Sequence, residues 1–417
     1  MVGMDANSLR AGRGLPRRCR VQVVAGLALA AAVAAAAVAL GWPAGPAAHG
    51  AASAPVRQDS RAAHAPMMWV STTADTVVPV NMSTGRALAP IGLNLPQPSF
   101  LVCMAITGNG KTIYVAAQDG RITPVSTATL TAGRPIVYDG HPSQIVLAPG
   151  GRTGYVVGYG FTPVNLVTGT FGKYVKDPAI GRLVLAPGGK TGYGLTAGPT
   201  TSVIPVNLRT DKPLRPITFR RLALQFTIMP NGKSAWVYLG GTTNTNELVK
   251  LNLKTRAVSA PIKLPDGVQQ VVFGPRDATA YAFGTNEITP IDLAKRSLGT
   301  LIRLPISPRA WPDELTLAPD GRSAIVSNWI RNRGVQVVAV NLATGTARSP
   351  VYLGYKLWVA QHVTFTLDSK TAYVSIANDT PGGLPQAKII PVSAATGKRV
   401  GPPINLHGQP LQILVTG

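Results

Sequence analysis

The sequence predicts an all-β propeller, and three observations support this fold class. The first is a phrase that reads Pro-Val-Asn-Leu-x-Thr-Gly in its clearest copy, at residues 163–169. Eight related copies are spaced by about 39 to 52 residues, the length of one propeller blade. The second is an alternating phrase in which an apolar run precedes a Pro-x-Gly-Lys/Arg turn, as at residues 186–193. The third is that no long apolar pattern with a helical period of 3.6 residues follows residue 60.

Each repeat unit is predicted to fold as four antiparallel strands, a to d. Strand a is the apolar run before the Pro-x-Gly turn and strand b is the β-branched and aromatic run after it. Proline presets φ and glycine supplies a positive φ in such a hairpin. The Pro-Val-Asn-Leu phrase is strand c, and its Thr-Gly end turns the chain into strand d. In one unit the four predicted strands are residues 143–148, 154–158, 162–166 and 171–175.

The two ends of the repeat region are predicted to complete one blade together. The region opens with a b strand at residues 67–71 and closes with an isolated a strand at residues 411–415. Pairing these ends would close the ring and remove exposed sheet edges. Counting the strands predicts eight blades, with a seven-bladed ring as the alternative if one unit has diverged or merged.

The repeat resembles the YVTN-type β-propeller family of exported bacterial proteins, in the superfamily of lactonase-like and quinoprotein-like propellers. Two runs carry the resemblance: Pro-Gly-Gly-Lys-Thr-Gly-Tyr at residues 187–193 and Pro-Val-Asn-Leu-Val-Thr-Gly at residues 163–169. The resemblance covers residues 67–417. It implies the fold and an exported location, but it specifies no activity, because propellers host many unrelated functions.

The first 66 residues have a different composition from the repeats and divide into three segments. Residues 1–20 are a basic N-terminus, residues 21–40 are an apolar run, and residues 41–66 are a linker rich in Ala, Pro and Gly that is expected to be disordered. Residues 67–417 are predicted to be one propeller domain. Basic residues before an apolar run direct export of the chain that follows.

The apolar run leaves two forms of the exported protein open. Its length suits one membrane-spanning helix, and Ala52-Ser53-Ala54 is a candidate cleavage site for a signal peptide. The propeller is therefore expected either to be anchored outside the cell membrane or to be secreted. Cys19 and Cys103 fall on different sides of this division, so we expect no disulfide between them.

The net charge of +23 is predicted to concentrate on one face. In a four-stranded blade the a–b and c–d turns share one end, and most acidic residues fall in the b–c and d–a loops at the other. The basic residues in the a–b and c–d turns are Lys111, Arg152, Lys190, Lys233, Arg322, Lys370, Arg86, Arg209, Lys212, Lys254, Arg256, Lys295, Arg296, Lys398 and Arg399.

A face of this charge favours docking on an anionic membrane or envelope surface, such as phospholipid or a cell-wall polymer. The alternative is that the Lys and Arg side chains only keep the turns soluble. Nucleic acid is disfavoured as a partner, because export is expected and the turns lack interleaved aromatic residues.

One position in strand a interrupts the apolar pattern, and it is polar in seven of the eight units, with Cys103 in the remaining one. Strand a is the innermost strand of a blade, so these side chains are expected to ring the central channel near its funnel mouth. The ring either hydrates the channel and ties blades together, or binds a ligand where charged residues and one imidazole break the glutamine pattern. The ring residues are Cys103, Gln144, Arg182, Gln225, Gln270, Glu314, His362 and Gln412.

The motifs that would name a reaction are not found. The sequence has no Gly-x-Ser-x-Gly elbow, Walker loop or Cys-x-x-Cys pair, and no His spacing typical of a metal site, so we predict no cofactor and no metal. The first functional hypothesis is a non-enzymatic binding or scaffold module of the cell envelope. Its partner would be an unknown protein, a cell-wall polymer or a small molecule. The alternative is a lactonase-like hydrolase that uses His362 and the funnel-mouth acids as general base and polarising group.

Overall fold

The computed structural model describes residues 66–416 except for short internal segments. Those segments are residues 97–98, 177–179, 197–200, 241–244, 276–277, 308–309, 332, 355–357 and 379–385. The regular structure of the described residues is entirely β, in eight separate sheets. Residues 1–65 lie outside the described part, so the basic N-terminus, the apolar segment and the linker remain predictions. Within the described part no helix is long and apolar enough to span a bilayer.

The eight sheets are the blades of a propeller, numbered here in chain order. Blade 1 contains β1 (Met67–Thr72), β2 (Thr76–Asn81), β3 (Arg86–Ala87) and β4 (Ile91–Gly92). Blade 2 contains β5 (Leu101–Ile106), β6 (Thr112–Ala117), β7 (Arg121–Ser126), β8 (Thr131–Ala132) and β9 (Ile136–Val137). Blade 3 contains β10 (Gln144–Leu147), β11 (Thr153–Val157), β12 (Phe161–Asn165) and β13 (Thr170–Phe171). Blade 4 contains β14 (Ile180–Leu185), β15 (Thr191–Thr196), β16 (Ser202–Asn207), β17 (Lys212–Pro213) and β18 (Ile217–Thr218).

The second half of the ring repeats this plan. Blade 5 contains β19 (Leu222–Ile228), β20 (Ser234–Gly240), β21 (Asn246–Asn252) and β22 (Ile262–Leu264). Blade 6 contains β23 (Gln270–Phe273), β24 (Thr279–Phe283), β25 (Glu287–Asp292), β26 (Ser297–Leu298) and β27 (Ile302–Arg303). Blade 7 contains β28 (Ala310–Leu317), β29 (Ser323–Ile330), β30 (Gly334–Asn341), β31 (Thr346–Ala347) and β32 (Val351–Gly354). Blade 8 contains β33 (Trp358–Phe365), β34 (Thr371–Asn378), β35 (Gln386–Ser393) and β36 (Ile404–His407). The last strand, β37 (Pro410–Thr416), pairs with β1 and is the inner strand of blade 1.

Every blade is an antiparallel meander in the order a, b, c, d. The prediction of eight four-stranded blades is confirmed, and the seven-bladed alternative is wrong. In blade 1 the pairing of β37 with β1 places Met67 opposite Thr416 and Val70 opposite Ile413. The a–b and c–d turns lie at one end of each blade, which we call the turn face. The b–c and d–a loops lie at the opposite end, the funnel face.

Strand d is shorter than predicted. The segment predicted at residues 171–175 pairs with strand c only at Thr170–Phe171 and again through a bridge at Val175. The gap lies beside the proline of the repeated phrase, which has no N–H to donate, and Gly172 donates to the Pro163 carbonyl there at 2.8 Å. In blade 7 the same gap and bond occur beside Ala339. The proline therefore occupies a position that needs no donor.

The Asn of the phrase folds the c–d turn. Its side-chain oxygen accepts backbone N–H groups two and three residues later, as Asn165 does from Val167 at 2.9 Å and from Thr168 at 3.2 Å. This is an Asx turn, which Asn forms readily because its carbonyl oxygen reaches its own backbone. The prediction that the phrase forms a strand followed by a turn is confirmed.

The residue that ends each c–d turn is left-handed in all eight blades. Four blades place glycine there, as at Gly169 with φ +73°, whereas Asp211 adopts φ +52°. A left-handed conformation costs a residue with a Cβ about 1–2 kcal/mol. Burial also raises the pKa of Asp211, and its Oδ1 atom is buried without a hydrogen-bond partner. We expect Asp211→Gly to raise the free energy of unfolding by about 1 kcal/mol, measured by urea denaturation.

The reciprocal change, Gly169→Asp, is the control for this prediction. It introduces the same strain at an equivalent turn and is expected to lower the free energy of unfolding by a similar amount. Equal stability of Asp211→Gly and the parent chain would contradict the strain argument.

The blades pack through apolar clusters that each combine residues of adjacent blades, such as Phe283 of blade 6 with Val326 of blade 7. The aromatic residue at the repeat position of strand b belongs to this packing. Tyr373, for example, is buried and donates its hydroxyl to the Met82 carbonyl of the next blade at 2.8 Å. The interpretation of these aromatic residues as blade-packing groups is confirmed. They are Trp69, Tyr114, Tyr155, Tyr193, Trp236, Tyr281 and Tyr373.

Candidate functional site: the axial ring and the two faces

The predicted ring residues occupy equivalent positions of the eight innermost strands, and most bind the next blade. The Gln144 Oε1 atom accepts the Leu183 N–H at 3.0 Å, and the Gln270 Oε1 atom accepts the Leu315 N–H at 3.0 Å. Gln412 binds both backbone groups of Met104, donating to its carbonyl at 3.1 Å. These amides satisfy the inner edge of the neighbouring strand a, which no further strand covers.

Glu314 and His362 continue this chain of contacts between blades. The Glu314 Oε2 atom accepts the Val363 N–H at 3.2 Å, and the His362 Nε2 atom lies 3.1 Å from the Leu411 carbonyl oxygen. Because a carbonyl oxygen only accepts, His362 must carry a proton on Nε2 in this arrangement. The contacts link blades 7, 8 and 1 in sequence.

Three ring positions differ from this pattern. Cys103 contacts the Ile145 backbone of the next blade, and burial raises the pKa of its thiol to about 12, so the thiol stays protonated. The Gln225 amide nitrogen lies 3.4 Å from the Thr227 hydroxyl on its own strand. Burial lowers the pKa of Arg182.

A β-bulge accompanies the ring position in six blades. In blade 7 the register shifts between Pro312 and Glu314, so that Asp313 is the extra residue. An extra residue of this kind re-aims the side chain that follows it. The sequence showed the polar residue but carried no signal for the bulge. The equivalent register shifts lie beside Cys103, Arg182, Gln225, His362 and Gln412.

The three charged or titratable ring residues are not brought together. Glu314 and His362 belong to adjacent blades 7 and 8, whereas Arg182 belongs to blade 4. Two whole blades therefore separate Arg182 from Glu314 around the ring. The arrangement places Glu314 and His362 at neighbouring ring positions and leaves Arg182 apart from both.

Two neighbouring carboxyl groups in blade 7, those of Asp313 and Glu314, have pKa values well above their ordinary range. Desolvation raises the pKa of Glu314 to about 7, although the hydrogen bond from the Val363 N–H opposes the shift. Desolvation, together with the Glu314 charge, raises the pKa of Asp313 to about 7. Asp313 nevertheless has an exposed surface.

No group of three His, Cys, Asp or Glu residues in the described part is arranged to hold a metal ion. The ring thus offers hydrogen-bonding groups and titratable carboxyls. Binding of a ligand by these groups stays a prediction.

The turn face is strongly basic. All fifteen Lys and Arg residues predicted there lie in the a–b or c–d turns, or directly beside them, and thirteen of them are exposed. Only four described acidic residues lie in the same turns. The fifteen basic residues therefore exceed the acidic ones by eleven charges. One a–b turn is incomplete in this count, because residues 276–277 lie outside the described part. The four acidic residues are Asp211, Asp292, Asp320 and Asp368.

Comparison with known proteins supports the fold. No protein-family model matches the sequence, and no curated protein matches it. Among solved structures, the chain is similar to dihydro-heme d1 dehydrogenase NirN in complex with DHE. The TM-score is 0.65 at 14% identity, and the match covers 89% of this chain and 78% of that one.

Two further structures have the same architecture. A eukaryotic initiation factor matches with a TM-score of 0.58 at 12% identity over 84% of this chain and 98% of that one. The C-terminal WD40 domain of Sif2 matches with a TM-score of 0.57 at 8% identity over 75% and 90%. At these identities the likeness establishes the propeller fold alone.

Proposed function

We propose that the chain is an exported, non-enzymatic binding module of the cell envelope that docks on an anionic phospholipid surface through its turn face. The observation that carries the proposal is the position of the N-terminus relative to the charge. Strand β1 is a b strand, and its first residue, Met67, pairs with Asn81 at the start of a c–d turn. The chain therefore enters the propeller on the basic face.

The face on which the chain enters matters because an apolar segment and a linker are predicted to precede Met67. Residues 41–66 span at most about 3.5 Å each when extended. A segment held in the membrane at residues 21–40 would place its tether on the turn face and so favour contact of that face with the lipid headgroups. Exposed Lys and Arg near anionic headgroups each contribute about 1 kcal/mol of attraction.

This docking predicts a salt-sensitive interaction with anionic vesicles. We expect a chain that begins at Gly41 to bind vesicles containing phosphatidylglycerol at low salt, and to bind vesicles of phosphatidylcholine at least tenfold more weakly. Binding should fall steeply as salt rises from 0.05 to 0.5 M, since the Debye length shortens from about 14 to about 4 Å. The triple variant Lys111→Glu, Lys233→Glu, Lys370→Glu is expected to lose most of the binding in co-sedimentation.

The matched control makes the same charge change on the funnel face. Lys176→Glu, Arg220→Glu and Arg331→Glu alter three exposed residues of d–a and b–c loops and should leave vesicle binding nearly intact. If both triple variants lose binding equally, net charge rather than a docking face is responsible. Binding that does not depend on salt would rule out the proposal.

The hydrolase alternative retains one supporting observation. The Asp313 and Glu314 carboxyls have a pKa of about 7, the range suited to a general base. Glu314 and His362 are occupied by bonds between blades, so Asp313 would have to act as the base. Lactone hydrolysis by the parent chain that is abolished in Asp313→Asn would favour this alternative over the binding module.

A further inference from the structure

Blades 7 and 8 extend farther toward the funnel face than the other blades. Their three inner strands contain eight residues each, compared with four to seven in the other six blades. The additional residues lie at the funnel end, because four residues precede the ring position in β28 and in β33. Asn328, Trp329 and Ile330 likewise extend β29 beyond Ser327, the partner of Glu314. The extension builds a raised wall on one side of the funnel.

Three of the five tryptophans in the described part of the chain belong to this wall. Trp311 and Trp329 are cross-strand partners on β28 and β29. Trp358 begins β33 and packs against the apolar cluster between blades 7 and 8. Trp311 is 61% exposed, which leaves a large apolar side chain facing solvent with no protein covering most of it.

The wall also contains polar groups that the protein leaves unsatisfied. The Trp329 Nε1 atom is buried without an acceptor, and both polar atoms of Asn328 and of Gln336 are buried without partners. Asn328 and Gln336 face each other across the strand pair and are less than 2% exposed. Seven of the nine such atoms found in the described residues belong to blade 7. Buried polar atoms normally have a partner. Of these groups, Trp329 is the cross-strand partner of Trp311 and shares its face of the sheet, whereas Asn328 and Gln336 lie on the opposite face.

The surrounding charges narrow the chemistry of a ligand. A cationic ligand would meet cations already beside the aromatic rings, since the Lys388 ammonium lies 5.8 Å from the Trp358 ring centroid and Arg333 lies 6.0 Å from that of Tyr352. An anionic ligand would be attracted by these cations but would also meet the carboxyls of Asp313 and Glu314, so the wall favours neither sign of charge. A wholly apolar ligand would leave the indole N–H unsatisfied. What remains is a neutral molecule with a flat apolar face and many hydroxyl groups.

We propose that the raised wall of blades 7 and 8 binds a neutral β-1,4-linked oligosaccharide, with one sugar ring stacked on Trp311. Equatorial hydroxyls leave the two faces of such a sugar lined by C–H groups, which pack on an indole. The hydroxyls, or water molecules between them and the wall, supply the acceptor for the Trp329 Nε1 donor. This site is on the opposite face from the proposed lipid-docking surface and does not depend on it.

The test is calorimetric titration of the full chain with cellohexaose and with chitohexaose, alongside tryptophan fluorescence. We expect at least one of the two to bind. Trp311→Ala should weaken its affinity at least tenfold without changing the thermal unfolding temperature, because the side chain is mostly exposed. Trp329→Phe removes the N–H donor together with the five-membered ring of the indole but keeps an aromatic ring, and it should weaken binding several-fold.

Tyr159→Ala is the matched control, because Tyr159 is an equally exposed aromatic residue (71%) in the b–c loop of blade 3 on the same face. Its affinity should equal that of the parent chain. No binding of either hexasaccharide, or unchanged affinity of Trp311→Ala, would overturn the proposal. Vesicle binding should be the same in Trp311→Ala as in the parent chain, so failure of one proposal is distinguishable from failure of the other.

Discussion

Replacing Glu314 by Gln is expected to stabilise the propeller above pH 7 and to flatten the pH dependence of its stability. The Glu314 carboxyl is desolvated between blades 7 and 8, and its pKa is about 7 instead of the ordinary 4.5. Glutamine retains the oxygen that accepts the Val363 N–H, as Gln270 does for Leu315 one blade earlier. The substitution therefore removes a buried charge and keeps the contact between blades.

The sign follows from the protons bound in each state. Below about pH 4.5 the carboxyl is protonated in both the folded and the unfolded chain, and the raised pKa has no effect on stability. As pH rises from 4.5 to 7 the unfolded chain loses its proton first, so stability falls, and above pH 7 the loss is complete. A shift of this size corresponds to a loss on the order of 1–3 kcal/mol, with the lower end favoured because Glu314 is only partly buried. The variant and the parent should be similar near pH 4 and differ most at pH 8 in chemical unfolding.

Gln270→Glu is the reciprocal control. Gln270 is only 5% exposed, and its amide makes the equivalent contact. A carboxylate at this position should destabilise the protein at pH 8 and leave it nearly unchanged at pH 4. If Glu314→Gln is less stable than the parent chain at pH 8, then the ionised carboxylate contributes more to the blade contact than its desolvation costs.

Deletion of residues 410–417 is expected to abolish the stable propeller, because we propose that the pairing of β37 with β1 closes the ring. The deletion removes the inner strand of blade 1 and leaves the backbone of β1 as an open edge. It also removes Ile413 from the apolar cluster that contains Met68 and Val70, and the Gln412 bridge to Met104. Buried apolar side chains contribute about 1.5–3 kcal/mol each, and a whole domain is stable by only about 5–15 kcal/mol. Circular dichroism should show loss of cooperative thermal unfolding, and size exclusion should show aggregation.

A peptide supplied in trans tests the same closure without relying on loss of folding alone. A synthetic peptide of residues 410–417 should restore cooperative unfolding to the shortened chain, and the same peptide with Ile413→Asp should not. A shortened chain that unfolds at the same temperature as the parent would show that the ring does not depend on this strand.

The repeated phrases were sufficient to predict the blades because each acts locally. The Pro-x-Gly turn, the Asn that folds the c–d turn and the β-branched run after residue 153 determine where strands begin and end within about 10 residues of chain. The eight-bladed count and the positions of the ring residues in strand a follow from this spacing. The split of strand d was missed, because it depends on which backbone groups of strand c remain available to an outer strand.

The direction and partners of the ring side chains were not predictable from the same information. Gln412 reaches Met104 across 308 residues of sequence, and Glu314 reaches the backbone of Val363 across 49. The bulge at Asp313 that accompanies the ring position has no local marker. The unsatisfied amides of Asn328 and Gln336 were also unpredictable, because their burial arises from the packing of blade 7 against its neighbours.

The sequence by itself determined the repeat, the number of blades and the face on which each turn and its charge lie, because turn chemistry and strand alternation act over a few neighbouring residues. Only the tertiary structure decided that most ring side chains bind the next blade, that Arg182 is apart from Glu314 and His362, and that blade 7 carries both an exposed tryptophan and buried polar atoms without partners. These features depend on desolvation and on contacts between strands that are far apart in the chain. Such contacts exist only when the blades are packed around one axis.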